Sequence, residues 1–214
     1  MQRCRVTPDQ FLHRCPALWH IAPAGAWDAI RETGLLSASQ LIDAADLDDA
    51  RRAELRDTPR AEAVTISVDG ADVVLRDQAA LLKADLAKVL EPGVSVADWV
   101  QVLNRRVYLY AGRTAMQKAL EKFVTTEGDQ DVLIFSPRRL VEQEQHIIEL
   151  SAQNTAANTR RSDPSKGRDT FVSVTRFADR KPAEVTLVGG LSDLTPIVRA
   201  ERHHADGTRT ALPR

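Results

Sequence analysis

The sequence predicts an α+β fold built on a split, largely antiparallel β-sheet with flanking helices. Three observations carry that expectation. Short β-rich runs recur along the chain, mostly without regular helices between them, a pattern that disfavours a parallel α/β sheet. The run AVTISV is followed by Asp69-Gly70 and then ADVVL, the strongest short-range hairpin signal a sequence offers. Hydrophobic residues make up 43% and charged residues 28% of the 214 positions, which is enough apolar mass for one globular core.

The first β-rich run, ALWHI at 17–21, is bounded by Pro16 and Pro23 and reads as a strand. In AGAWDAIRETG, Trp27 and Ile30 share a helix face and Gly34 supplies the stop. Ser37 or Ser39 caps a second helix through SQLIDAADL, and the charged stretch 48–60 reads as a solvated helix. After the hairpin, Leu81, Leu82, Leu86 and Leu90 form a helical stripe ended by Pro92-Gly93. Ser95 with Asp98 predicts a capped helix through Trp99 and Leu103. RVYLYA at 106–111 alternates like a strand, TAMQKALEKF reads as an amphipathic helix, and DVLIF and HIIEL add strands. Residues 151–169 lack periodicity over a length that marks a candidate functional loop. TFVSVTRF, AEVTLV and PIVRAERH are the last expected strands. Trp19, Trp27 and Trp99 read as core residues. One domain over 1–214 is expected, with an N-terminal extension at 1–16 and a frayed tail at 205–214.

Charge and composition exclude several function classes. Twenty-nine Lys and Arg stand against thirty Asp and Glu, a net charge of −1, so no global basic field advertises nucleic acid. A local basic patch remains compatible with it. Cys4 and Cys15 are too few for a disulfide scaffold or a zinc site and read as reduced thiols. The start MQRCRVTPDQF carries no apolar leader core, and no run is long enough to span a bilayer. A cytoplasmic protein without a membrane partner is therefore expected. The phosphate-loop, dinucleotide, zinc-protease and serine-hydrolase motifs are all absent from the sequence. The His203-His204 doublet reads as solvated surface and not as metal ligands.

What remains are polar residues inside apolar strands, where burial is costly unless they are paired or used. His20 sits in ALWHI, Tyr108 and Tyr110 share one face of RVYLYA, Glu149 lies near the end of HIIEL and Glu184 opens the strand in AEVTLV. Each has an ordinary structural explanation: a hydrogen-bonded core histidine, packed tyrosines, an edge charge that discourages aggregation.

Their order adds weight. LWHIAPAGAWDAIRETGLLSAS resembles the opening of the DarT-like ADP-ribosyltransferases, with a strand histidine, a short helix and Gly-Leu. RVYLYAGRTAM resembles that family's tyrosine-bearing strand with its Met-containing turn, and KPAEVTLVGGLSDL the strand carrying its catalytic glutamate. His, Tyr and Glu on successive elements form the wider signature of the His-Tyr-Glu ADP-ribosyltransferase superfamily. The whole chain, including LRDQAALL, LNRRVYLY, the Asn154-Thr155 pair and GRDTF, resembles a bacterial domain family beside that superfamily. The strand motif reads His-Ile-Ala where the closest relatives have His-x-Thr.

The resemblance implies an ADP-ribosyltransferase-like fold and NAD as co-substrate, with no metal. It implies that Glu184 stabilises an oxocarbenium-like ribose, that His20 binds NAD by hydrogen bonds and that Tyr108 or Tyr110 stacks on nicotinamide. Arg51, Arg52 and Arg76 are the candidates for the family's arginine, and Arg76 after the hairpin, or an arginine of the aperiodic loop, pairs with the pyrophosphate. In the aperiodic loop, Asn154, Arg160, Arg161, Lys166 and Arg168 become candidates for acceptor recognition, their basic side chains able to track a nucleic-acid backbone. The acceptor implied first is a nucleobase of DNA or RNA, with a protein side chain or small molecule as the alternative. An antitoxin or a hydrolase is the protein partner of this reading. Two rivals stand beside it: an RNA 2′-phosphotransferase-like enzyme, and a non-catalytic module of the same fold that binds NAD or nucleic acid.

Overall fold

The computed structural model describes residues 7–83, 86–155, 165–178 and 181–213. Helix α1 (Pro8–Arg14) leads into strand β1 (Leu18–Pro23), helix α2 (Ala26–Thr33), strand β2 (Leu35–Leu36) and helices α3 (Ala38–Ala44) and α4 (Asp49–Asp57). The hairpin β3 (Val64–Val68) and β4 (Ala71–Leu75) follows, then helices α5 (Ala79–Lys83), α6 (Leu86–Val89) and α7 (Val96–Asn104). Next come β5 (Arg106–Leu109), α8 (Arg113–Glu127), β6 (Gln130–Phe135), α9 (Pro137–Glu144) and β7 (Ile148–Ser151). The last part holds β8 (Val172–Ser173), β9 (Glu184–Val188), β10 (Gly190–Leu191), β11 (Ile197–His203) and β12 (Arg209–Ala211).

Two antiparallel four-stranded sheets organise these elements, one in the order β1-β6-β11-β12 and the other β5-β9-β7-β8. They meet where β1 runs beside the end of β5. Trp19 N donates to Tyr110 O at 3.1 Å and Tyr110 N returns a bond to Trp19 O at 2.8 Å. This is the α+β, split and largely antiparallel architecture the sequence predicts. The main core lies on one face of the second sheet, where Val107, Leu109, Ile148, Leu150, Val185 and Leu187 pack with Leu133, Phe135 and Trp27. Each such side chain contributes about 1.5–3 kcal/mol on burial. The period of two therefore turns Arg106, Tyr108 and Tyr110 to the opposite face.

Local signals explain several elements. The hairpin turn holds Asp69 at φ 50° and Gly70 at φ 81°, the two positive values a type I′ turn requires. Ser37 and Ser95 each close a capping box, with Gln40 and Asp98. No helix among the described residues is long and apolar enough to cross a membrane.

The structure also corrects the sequence reading. TFVSVTRF is a strand only at Val172–Ser173. The Ser173 carbonyl accepts from both Arg176 N and Phe177 N, curling the chain so that Phe171, Val174 and Phe177 are buried. The tail at 205–214 is not frayed as far as Pro213: β12 pairs with β11, and Trp27 Nε1 donates to Pro213 O at 2.6 Å. Part of the N-terminal extension joins the main core through Phe11 and Cys15. The stretch 48–60 is not wholly solvated, since Leu55 is buried and buried Arg60 donates to Asn104 Oδ1. Leu82 points to solvent, out of its expected stripe. His203 and His204 are not simply solvated: His204 lies between Asp129 Oδ2 at 2.6 Å and Thr210 Oγ1 at 2.8 Å, and His203 beside Glu201.

Candidate functional site

The seam between the two sheets gathers the polar strand residues. His20 on β1 donates its Nδ1 hydrogen to the carbonyl oxygen of Tyr108 on β5 at 3.0 Å. The carbonyl can only accept, so the proton is on Nδ1 and the neutral ring turns a lone pair outward at Nε2. Burial holds the His20 pKa down to about 4, with the nearby Arg76 charge acting in the same direction against the Tyr108 bond.

β9 is an interior strand between β5 and β7, so Glu184 is no edge charge. Leu109 pairs with Val185, and the next step of that register sets Tyr110 beside Glu184. Burial raises the Glu184 pKa to about 7, opposed by two hydrogen bonds from Thr155 and by the Lys166 ammonium. Thr155 N donates to Glu184 Oε1 at 3.0 Å and Thr155 Oγ1 to Oε2 at 2.8 Å.

Both tyrosines flank this carboxyl. Burial and the Glu184 charge raise the Tyr108 pKa, and burial first, with Glu184 adding, raises that of Tyr110. The buried Tyr108 hydroxyl makes no hydrogen bond of good geometry among the described residues, and it neighbours the Thr155 hydroxyl, which lowers its pKa and itself donates to Glu184. The Tyr108 ring rests edge-on against Phe171, 6.4 Å between centroids. Tyr110 packs with Ile21, Met116 and Trp19.

Of the three arginines, Arg76 lies beside this cluster, close enough to bear on His20 and Tyr110. Its guanidinium sits 3.7 Å over the Phe123 ring, bonds Gln130 Oε1 and pairs with Glu127 at 3.2 Å. Arg51 pairs with Glu54 at the surface, and Arg52 caps the carbonyls of Ile42 and Asp43. Glu149 is engaged elsewhere: Arg106 bonds its Oε2 with Nη2 at 2.5 Å and Nε at 3.0 Å. Glu184 is the carboxylate whose charge bears on both tyrosines.

The loop residues separate. Asn154 and Arg168 are exposed. Lys166, expected as an acceptor contact, is fully buried instead, its Nζ donating to Thr155 O at 2.7 Å. The reason is its main chain, which bonds Val89 O and Glu91 N and draws the side chain inward. Arg160 and Arg161 lie outside the described residues. Thr155 was legible only as half of the Asn154-Thr155 pair, with no local signal for its bond to Glu184.

The surface clefts among the described residues include two away from the Glu184 carboxylate. One of about 450 Å3 is lined by residues including Trp27, Arg31 and Arg139. Another of about 330 Å3 is lined by residues including Trp99, Arg106, Arg168 and Phe171. His20, Tyr110 and Glu184 line neither. Thr155 covers the carboxylate in their place.

Fold and site together define an α+β protein with a largely buried His-Tyr-Glu cluster at the seam of two antiparallel sheets. The model of DUF7002, a family of unknown function, matches residues 16–198, and the chain belongs to that family. No curated protein matches it.

Proposed function

We propose that this chain is an NAD-dependent mono-ADP-ribosyltransferase. The observation that carries the reading is the convergence of His20, Tyr108, Tyr110 and Glu184 from three strands on one seam. The chemistry of the group suits NAD. Neutral His20 offers an acceptor lone pair to a ribose hydroxyl. Tyr110 offers a ring face for nicotinamide. Ionised Glu184, largely shielded from water, stabilises positive charge developing on the ribose more strongly than it would in bulk solvent. The nicotinamide–ribose bond breaks with its electron pair leaving on nicotinamide. The acceptor then bonds the anomeric carbon and gives up a proton. Arg76 lies at the margin, where freeing it for the pyrophosphate means exchanging Glu127 and Gln130 for phosphate oxygens. A nucleobase is the acceptor of this reading, with exposed Arg168 beside Arg106 as the basic contact.

A thermal-shift titration with NAD on wild type and Glu184→Gln tests it. Saturable stabilisation of the wild type, of the size mass action gives for a folded-state ligand, is expected. No shift at millimolar NAD would remove the transferase reading.

A further inference from the structure

Glu184 is already engaged. Its two oxygens each receive one donor from a single residue, Thr155 N at 3.0 Å and Thr155 Oγ1 at 2.8 Å. Two neighbouring hydroxyls of a sugar approach a carboxylate in the same way, one O–H to each oxygen. Thr155 is fully buried and is fastened from behind, because the equally buried Lys166 donates to its carbonyl at 2.7 Å. Lys166 is anchored in turn by its N–H on Val89 O at 2.7 Å and by Glu91 N on its own carbonyl at 2.9 Å. The contact is therefore a built one. A second observation points to the same place. The Tyr108 hydroxyl beside Thr155 is buried and, among the described residues, makes no hydrogen bond of good geometry, a condition native proteins rarely leave unexplained.

We propose that Thr155 is an internal competitor for substrate at Glu184: its two donors stand where a vicinal diol donates, and the substrate binds by displacing them. This rests on the reading of Glu184 as the ribose-binding carboxylate. Displacement turns the Thr155 hydroxyl away from Glu184 and toward the Tyr108 hydroxyl that it already neighbours. The fold thereby makes occupancy conditional on a ligand that offers two adjacent hydroxyls, and a ligand with one leaves half of the Thr155 clamp in place.

The test is calorimetric binding of NAD and, separately, of ADP-ribose to wild type, Thr155→Val, Lys166→Met and Glu184→Gln at pH 8.5, where Glu184 is ionised. Thr155→Val removes one donor to a charged acceptor and is expected to bind both ligands about tenfold more tightly. Lys166→Met loosens the anchor, shifts affinity in the same direction and serves as the second variant if the first does not fold. Glu184→Gln weakens both ligands. Equal or weaker binding by Thr155→Val and Lys166→Met overturns the competitor and leaves the transferase reading standing. Tighter ADP-ribose with no NAD binding upholds the competitor and defeats the transferase reading. Binding of neither ligand to any of the proteins defeats both.

Discussion

His20 donates to the carbonyl of Tyr108 at 3.0 Å, which fixes the tautomer of the ring through the main chain of the opposite sheet. The bond orients the imidazole, while burial, opposed by that same bond, keeps it neutral.

His20 and Glu184 titrate in opposite senses over the same range. The His20 pKa falls from 6.5 to about 4, so its contribution to stability is complete above about 6.5 and is lost as pH falls toward 4. The Glu184 pKa rises from 4.5 to about 7, so its contribution is complete below about 4.5 and is lost as pH rises through 7. Between these limits the two slopes cancel. Relative to wild type, Glu184→Gln is expected to lose stability as pH drops from 7 to 4.5, and His20→Ala to gain it as pH drops from 6.5 to 4. Each slope approaches about 1.4 kcal/mol per pH unit. Urea unfolding across this range measures both, and parallel curves for all three proteins would show that neither pKa is shifted by folding.

Activity is expected to follow the Glu184 carboxylate alone. On the transferase reading, NAD cleavage should rise with pH through about 7 as that group ionises. Glu184→Gln lowers turnover roughly a hundredfold to a thousandfold, the size of a lost electrostatic stabiliser. Rates of nicotinamide release at constant ionic strength are the readout, and a Gln variant with wild-type turnover would place the chemistry elsewhere.

Two glycines separate backbone strain from steric conflict. Gly70 holds φ at 81° with open space around an added Cβ, so Gly70→Ala should cost about 1 kcal/mol. Gly190 holds φ at 98°, and its Cβ would stand 2.1 Å from Leu35 O, in the β2–β10 pairing. Gly190→Ala should therefore be several times more destabilising. Thermal melts of the two variants compare them, and similar losses would mean that the β2–β10 pair yields easily.

Removing residues 209–213 deletes β12 and the acceptor for Trp27 Nε1. Trp27 is buried, so its stranded N–H alone costs about 1–3 kcal/mol. A melting temperature unchanged by the truncation would make the last strand dispensable.

Much of this site was readable from sequence because His20, Tyr108 and Glu184 are polar residues within apolar strands, and burial of such residues announces itself. The hairpin was equally legible from Asp69-Gly70. Thr155 and Lys166 were hidden for the opposite reason. They lie in an aperiodic stretch, and Thr155 finds its partner 29 residues away. Lys166 reads as loop charge until its backbone bonds to Val89 and Glu91 are known. TFVSVTRF misled because Phe171, Val174 and Phe177 are three residues apart, a turn spacing carried by strand-forming residue types. Helix α9 was missed although Ser136-Pro137 is an ordinary helix start.

The seam at Trp19 and Tyr110 has a consequence for the order of folding. Neither sheet alone contains the site: one brings His20 and the other Tyr108 and Glu184, and the first two are 88 residues apart. Closing a loop of that length costs chain entropy before any contact repays it. The first sheet asks for still more, since its β1–β6 register joins Leu18 to Phe135 and Pro23 to Gln130, and it gains no head start over the seam. Pulse-labelled hydrogen exchange is expected to show the Trp19 and Tyr110 amides protected together with those of β1 and β6 and after those of the local β3–β4 hairpin, so that the polar cluster is assembled in the same late step as the sheet that carries His20.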